Sequence, residues 1–244
     1  MKISLLLAPI ISAVLCLCPV QAQEPSSVAA STAQQLDQRQ QAIVLIAAAM
    51  AASDMPRLKT ALEQGLDAGL SISEAQEVLV QLYAYTGFPK SLNALGELLQ
   101  VVESRQQRGL ADAPGRGPSR PTPVGEALRR IGTANQTRIA GRPVKNAVTD
   151  FAPVINEFLQ THLFGDIFAR DVLDWQSREL ATVGALAAMP GVEAQLRSHL
   201  NASQRVGLSI AQLQHLAEVL REYGDRQAGE RAREALQHVL SISP

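Results

Sequence analysis

Slide the chain along itself by 138 residues, the separation of Gly69 and Gly207. Gly69-Leu70-Ser71-Ile72 then falls without a gap on Gly207-Leu208-Ser209-Ile210. In the same register Leu58 meets Leu196, Leu62 meets Leu200, Gln76 meets Gln214, Leu82 meets Leu220 and Tyr85 meets Tyr223. Ala47 and Ala49 meet Ala185 and Ala187. Each shared feature has a local physical role. The glycine stops a helix. The serine, with Glu74 or Gln212 three residues on, forms a capping box for the next helix. The leucines recur at helical spacing and mark one apolar face. A gapless register that keeps stop, cap and face together indicates a duplication, so the chain must build two similar helical units. The predicted fold class is all-α. Aromatics are only 4% of the residues, and Ala and Leu dominate, as helices prefer.

The first 22 residues read as an export signal. Lys2 is followed by an apolar run over 3–18, broken only by Ser4, Pro9 and Ser12, and Val20-Gln21-Ala22 places small residues at a cleavage site. The expectation is a cut after Ala22 and a periplasmic or secreted protein, with no membrane association once the signal is removed. Both cysteines, Cys16 and Cys18, lie in this segment, so the mature chain has no thiol for a disulfide, a nucleophile or a metal. With 22 basic against 23 acidic residues, nothing points to a nucleic-acid partner.

The remaining organisation is read in order. Residues 23–35 are small and polar, a flexible mature N-terminus. The first copy spans 36–104, a Pro/Gly-rich linker 105–123, and the second copy with its connecting helices 124–244. Within the first copy a helix over 90–103 is expected to bury Leu92, Leu95, Leu98 and Leu99. A short helix is expected over 124–134. Another, over 146–162, is expected to turn Phe151, Val154, Ile155, Phe158 and Leu159 inward. Residues 164–168 read as a turn.

The copies differ where chemistry would sit. Glu179 aligns with Gln41, and His199 with Ala61, so only the second copy carries an acid and an imidazole there. No H-E-x-x-H, calcium loop, G-x-S-x-G or phosphate-cradling loop occurs, so neither a metal site nor a cofactor is expected.

The runs LFGDIFARDVLDWQSRELATVGALAA (163–188), LRSHLNASQRVGLS (196–209) and AGLSISEAQEVLVQLYAYTGFPKSLNAL (68–95) resemble the carboxymuconolactone decarboxylase family, which shares its fold with alkylhydroperoxidase D. That resemblance implies an all-α helical bundle in two tandem copies, assembled as a homo-oligomer, with a trimer favoured for tandem members. The hydroperoxidase branch carries a Cys-x-x-Cys pair between its Glu and its His. Here that region is Met189-Pro190-Gly191-Val192-Glu193-Ala194-Gln195, so thiol peroxidase activity is excluded.

The resemblance further implies cofactor-free decarboxylation, or a related proton transfer, on a small lactone or carboxylated ring compound. His199 would serve as proton donor or oxyanion partner, histidine being the side chain that changes charge near neutral pH. Glu179 would set its tautomer or shuttle the proton. Arg197 or Arg178 would take a substrate carboxylate, and Phe164 would help close an apolar pocket. Each role has a plainer alternative. Glu179 near a helix start suits the macrodipole, the arginines suit solvent or an ion pair, and Phe164 suits a core with Phe168 and Trp175. Tyr85 and Tyr223, being repeated, read as packing residues, and His162, His215 and His238 as structural. The rival functional reading is a non-catalytic helical scaffold or binding module that kept the fold.

Overall fold

A computed structural model describes residues 35–242; the segment expected to be an export signal and nearly all of the polar stretch after it lie outside the described residues. Among the described residues there are eleven α-helices and one π-helical segment, and no strand. The first copy forms α1 (Gln38–Ala52), α2 (Met55–Asp67), α3 (Ile72–Thr86) and α4 (Phe88–Gln107). Between the copies run α5 (Gly125–Ala140), α6 (Ala147–Phe151), α7 (Pro153–Phe158) and the π segment Leu159–Ile167. The second copy forms α8 (Trp175–Ala188), α9 (Glu193–Arg205), α10 (Ile210–Tyr223) and α11 (Arg226–Ile242). No described helix is long and apolar enough to cross a membrane.

The duplication is visible in the helix ends. α2 and α9 begin and end 138 residues apart, and α3 and α10 begin 138 residues apart. The local causes repeat too. Ser71 with Glu74, and Ser209 with Gln212, complete reciprocal capping boxes. Gly69 and Gly207 both take positive φ, 86° and 101°, the conformation a helix stop needs and a side chain resists. Pro56 sits in the first turn of α2, where its missing N–H costs nothing, and Asp54 caps Arg57 N.

The two copies do not sit side by side as separate bodies. The most extensive helix contact in the molecule is α1 against α8, the same helix of each copy. Around it α3 packs on α8 and, reciprocally, α10 on α1, so the copies interlock about a pseudo-two-fold and share one apolar core. α1 and α8 approach closely at Gly184, where a Cβ would lie 2.7 Å from the Val44 carbonyl oxygen.

A second, smaller core joins α5 to the π segment. Ile139, Leu163, Phe164, Ile167, Phe168 and Ala202 form it, with Tyr83, Tyr85 and Trp175 packed against it. Residues 164–168 are therefore mostly the end of a π helix and not a plain turn. Gly132 permits the close α5 crossing: a Cβ there would fall 1.6 Å from the Gln160 carbonyl oxygen.

Three expectations are corrected. The helix expected over 146–162 is interrupted at Ala152, which is pushed to φ −126° and ψ 75° by the following proline. Leu159 packs against the smaller core as expected, but the others do not face inward: Phe151 is 91% exposed, and Val154, Ile155 and Phe158 are exposed as well. In α4 the helical period was right and the phase half right: Leu98 is buried and Leu95 packs against the core as expected. Ser91, Ala94, Leu98, Val101 and Arg105 face the core, while Leu92 and Leu99 are exposed. Polar anchors set this phase: the Ser91 hydroxyl donates to the Leu79 carbonyl, and Arg105 binds Asp112 and Asp67. The short helix expected over 124–134 extends to Ala140. The Pro/Gly-rich connection is fastened to the first copy, its Ala113 and Pro114 carbonyls accepting from Ile72 N and Ser73 N at the start of α3.

Gly184→Ala is expected to lower stability by about 1–3 kcal/mol, because the added methyl must displace the α1 backbone. Gly96→Ala, in α4 with open space around it, is expected to raise stability by about 0.5–1 kcal/mol. Urea unfolding of both variants checks the pair.

Candidate functional site

The site begins on α8. Asp174 caps the helix by accepting from Ser177 N at 2.7 Å. Every residue from Ser177 to Ala187 is buried, including two adjacent charged ones, Arg178 and Glu179, both 0% exposed. Neighbours on a helix point about 100° apart, so these two side chains leave α8 in different directions.

Arg178 turns toward α3. One terminal nitrogen donates to Glu77 Oε1 at 2.7 Å and to the Arg170 carbonyl at 2.7 Å; the other donates to Gln81 Oε1 at 2.9 Å. Arg170 binds the same Glu77 carboxylate through Nε at 2.9 Å. Gln81 in turn donates to the Arg178 carbonyl and to Thr182 Oγ1, each at 2.9 Å. Burial pulls the Arg178 pKa down, and the Glu77 carboxylate opposes that. The expected role of Arg178 as a substrate-carboxylate ligand is corrected here: its terminal nitrogens are committed to a buried clasp between the copies, because a buried guanidinium requires a counter-charge.

Glu179 turns toward α9 and meets His199, with Oε2 2.8 Å from Nδ1. The carboxylate is 0% exposed and the imidazole 15%. With Nδ1 committed to Glu179, Nε2 is the nitrogen left for a ligand. Glu179 Oε1 is buried without a hydrogen-bond partner. Glu179 and His199, selected from sequence 20 residues apart, are thus brought together.

The other selected residues are not brought to this pair. Arg197 lies two residues before His199 on α9, about 200° around the helix axis, half-buried and near enough to Glu193 to help lower that carboxyl's pKa. Phe164 is buried in the smaller core, 5.2 Å from the Phe168 ring, so the packing alternative holds and the pocket role does not. His162 pairs with Asp166, and His215 Nδ1 accepts from Leu36 N. Among the described residues no group of three or more His, Cys, Asp or Glu could hold a metal ion.

Sequence reasoning missed Tyr85. This residue of α3 belongs to the first copy, yet its ring meets the His199 ring edge to face, with centroids 5.6 Å apart at 78°. Its hydroxyl is buried without a hydrogen-bond partner. The Thr182 hydroxyl lies close by but outside hydrogen-bond geometry. Burial, and then the charge of Glu179, push the Tyr85 pKa far above the usual phenol value. Repetition as Tyr223 had suggested packing, but Tyr223 is 62% exposed. The only signal separating the two tyrosines is what their partners became, Glu179 and His199 against Gln41 and Ala61.

At the corresponding place in the other half, Gln41 donates to the Leu36 carbonyl at 2.8 Å. A cavity of about 300 Å³ opens there beside Ala49, Ala61 and Tyr223. Where the second copy has an imidazole, this cavity has the methyl of Ala61.

Two outcomes are expected from this geometry. A double-mutant cycle of Glu179→Gln and His199→Ala should return a coupling of about 1–3 kcal/mol in urea unfolding; a value near zero would make the contact incidental. The raised Tyr85 pKa means that the unfolded chain releases this proton first, near pH 10. Its contribution to stability is therefore full below pH 10 and is lost as pH rises beyond it. Tyr85→Phe should flatten the alkaline fall in stability relative to the wild type, measured by thermal unfolding between pH 8 and 11.

Comparison with known proteins adds a lineage to this geometry. No curated protein matches the chain. The Carboxymuconolactone decarboxylase family matches residues 27–100 and again residues 153–238, more than half of the chain and once for each copy. With its all-α architecture and repeated helical unit, the chain belongs to the carboxymuconolactone decarboxylase family and carries two tandem copies of that family's alkylhydroperoxidase D-like fold.

Proposed function

We propose that the protein is a cofactor-free decarboxylase, or catalyses a closely related proton transfer, acting on a small lactone that bears a carboxylate. The observation that carries this reading is the Glu179–His199 hydrogen bond, made by a carboxylate wholly withdrawn from solvent to an imidazole that keeps an exposed edge. A buried carboxylate on Nδ1 fixes the orientation of the ring and leaves Nε2 as the nitrogen that would deliver a proton. Family membership supports the reaction class.

The chemistry asks little more of the protein. When a carboxylate leaves a lactone carbon that is conjugated with the carbonyl, the electron pair flows through the ring double bond onto the carbonyl oxygen. The substrate is its own electron sink. A proton from the His199 imidazolium then adds to the ring carbon next to the carbonyl, and solvent reprotonates the imidazole. Catalysis rests on holding the ring against His199 and stabilising the oxygen as it gains charge.

The same reading places the protein outside the cytoplasm, where a signal over 1–22 would send it, and in a homo-oligomer, a trimer by preference. The exposed Val148, Phe151, Val154, Ile155 and Phe158 of α6 and α7 support an interface with a second copy. Sedimentation equilibrium should report a trimer, and Phe151→Lys with Phe158→Lys should shift it to monomer.

The direct test is carbon dioxide release from γ-carboxymuconolactone by the folded protein. His199→Ala is expected to lower kcat by roughly 10²–10⁴-fold, the usual contribution of a positioned acid. Folded, oligomeric protein that releases none would reject this substrate and favour the scaffold reading.

A further inference from the structure

The first copy lacks the acid and the imidazole, but it is not chemically silent. Tyr85, on α3 of that copy, bridges the two cores and presses its ring edge against His199. We propose that the Tyr85 hydroxyl donates a hydrogen bond to the carbonyl oxygen of the ligand held at Glu179 and His199, so that both copies build one site for a small cyclic ester.

Four observations converge on this. The hydroxyl is buried and has no partner, and a buried polar group is rarely left so unless something else completes it. Glu179 Oε1 and Arg178 Nε are also buried without a partner, and none of these three groups bonds another. Thr182 lies nearby, but its hydroxyl donates to the Arg178 carbonyl, accepts from Gln81 and stands outside hydrogen-bond geometry from the Tyr85 hydroxyl. The repeat supplies an internal control, because Tyr223 holds the same register position and is exposed. Helix packing in this fold therefore does not by itself demand a buried tyrosine.

The hydroxyl is suited to donating. Burial and the neighbouring carboxylate keep it protonated at any ordinary pH, so it is a hydrogen-bond donor and not a base. The inference rests on the decarboxylation reading for its reaction. As the bond between the ring carbon and the carboxylate breaks, its electron pair moves through the double bond to the carbonyl oxygen and carbon dioxide leaves. Tyr85 holds the charge on that oxygen. The pair then returns as the ring carbon takes the proton from His199.

The test uses the full chain as wild type, Tyr85→Phe and Tyr223→Phe. The probe is but-2-enolide labelled with ¹³C at the carbonyl, a lactone with no carboxylate to lose. Its bound carbonyl stretch is read by difference infrared spectroscopy, beside kcat and KM for carbon dioxide release from γ-carboxymuconolactone. Wild type and Tyr223→Phe should show the band displaced to lower wavenumber, and Tyr85→Phe should lose that displacement. Tyr85→Phe should also lower kcat about 10²–10³-fold, the usual effect of removing one oxyanion donor, with KM nearly unchanged. If Tyr85→Phe does not fold, 3-fluorotyrosine installed at residue 85 keeps the shape with a stronger donor and should displace the band further. A band identical in wild type and Tyr85→Phe, or unmoved by fluorination, overturns the proposal even where carbon dioxide is released. A Tyr85-dependent band without carbon dioxide release would overturn the decarboxylation reading and leave this contact standing. Wild type that binds no but-2-enolide overturns the lactone site itself.

Discussion

Two opposite charges stand side by side on a helix with no access to solvent, and the rest of the molecule is arranged to make that tolerable. Arg178 and Glu179 are fully buried on α8. An uncompensated charge there would cost several kcal/mol, so each must find a partner on another element. Arg178 finds Glu77 and Gln81 on α3 of the first copy, and Glu179 finds His199 on α9. The first pairing ties the copies together. The second makes the site. One helix thus carries both the clasp between the copies and the acid of the candidate site, and the two are separated only by the turn between successive residues.

The duplication explains how such a helix came to be enclosed. α1 and α8 are the same element of the two copies and form the deepest contact. In the first copy the positions of Arg178 and Glu179 are held by Gln40 and Gln41, neutral residues that need no charged partner. Gln40 takes part in the α1 capping box, and Gln41 bonds a local carbonyl. The first half has therefore become the supporting half in its own α1–α2 pocket, while lending Glu77, Gln81 and Tyr85 to the other.

The sequence showed the helices well because their ends are local. Capping boxes and positive-φ glycines act over a few residues, and these fell where the repeat placed them. It showed the Glu179–His199 pair because a difference between two copies stands out against what they share. It misjudged α4, where the leucine stripe gave the period but Ser91 and Arg105 set the phase through hydrogen bonds to residues elsewhere. It also turned Phe151, Val154, Ile155 and Phe158 inward, since a single chain read alone says which side chains are apolar but not whether another surface is there to cover them.

The repeat, the all-α class, the helix ends that the two copies share and the presence of one acid and one imidazole were determined by the sequence itself, because each depends on neighbours within a turn or two or on a direct comparison of two halves. Which of two adjacent charges would close the interface and which would meet His199 was decided only by the tertiary structure. So was the choice between Tyr85 and Tyr223, identical in register and opposite in fate. The physical reason is range: the contact between Glu77 and Arg178 spans 101 residues of chain, and at that separation burial and counter-charge are properties of the packed whole.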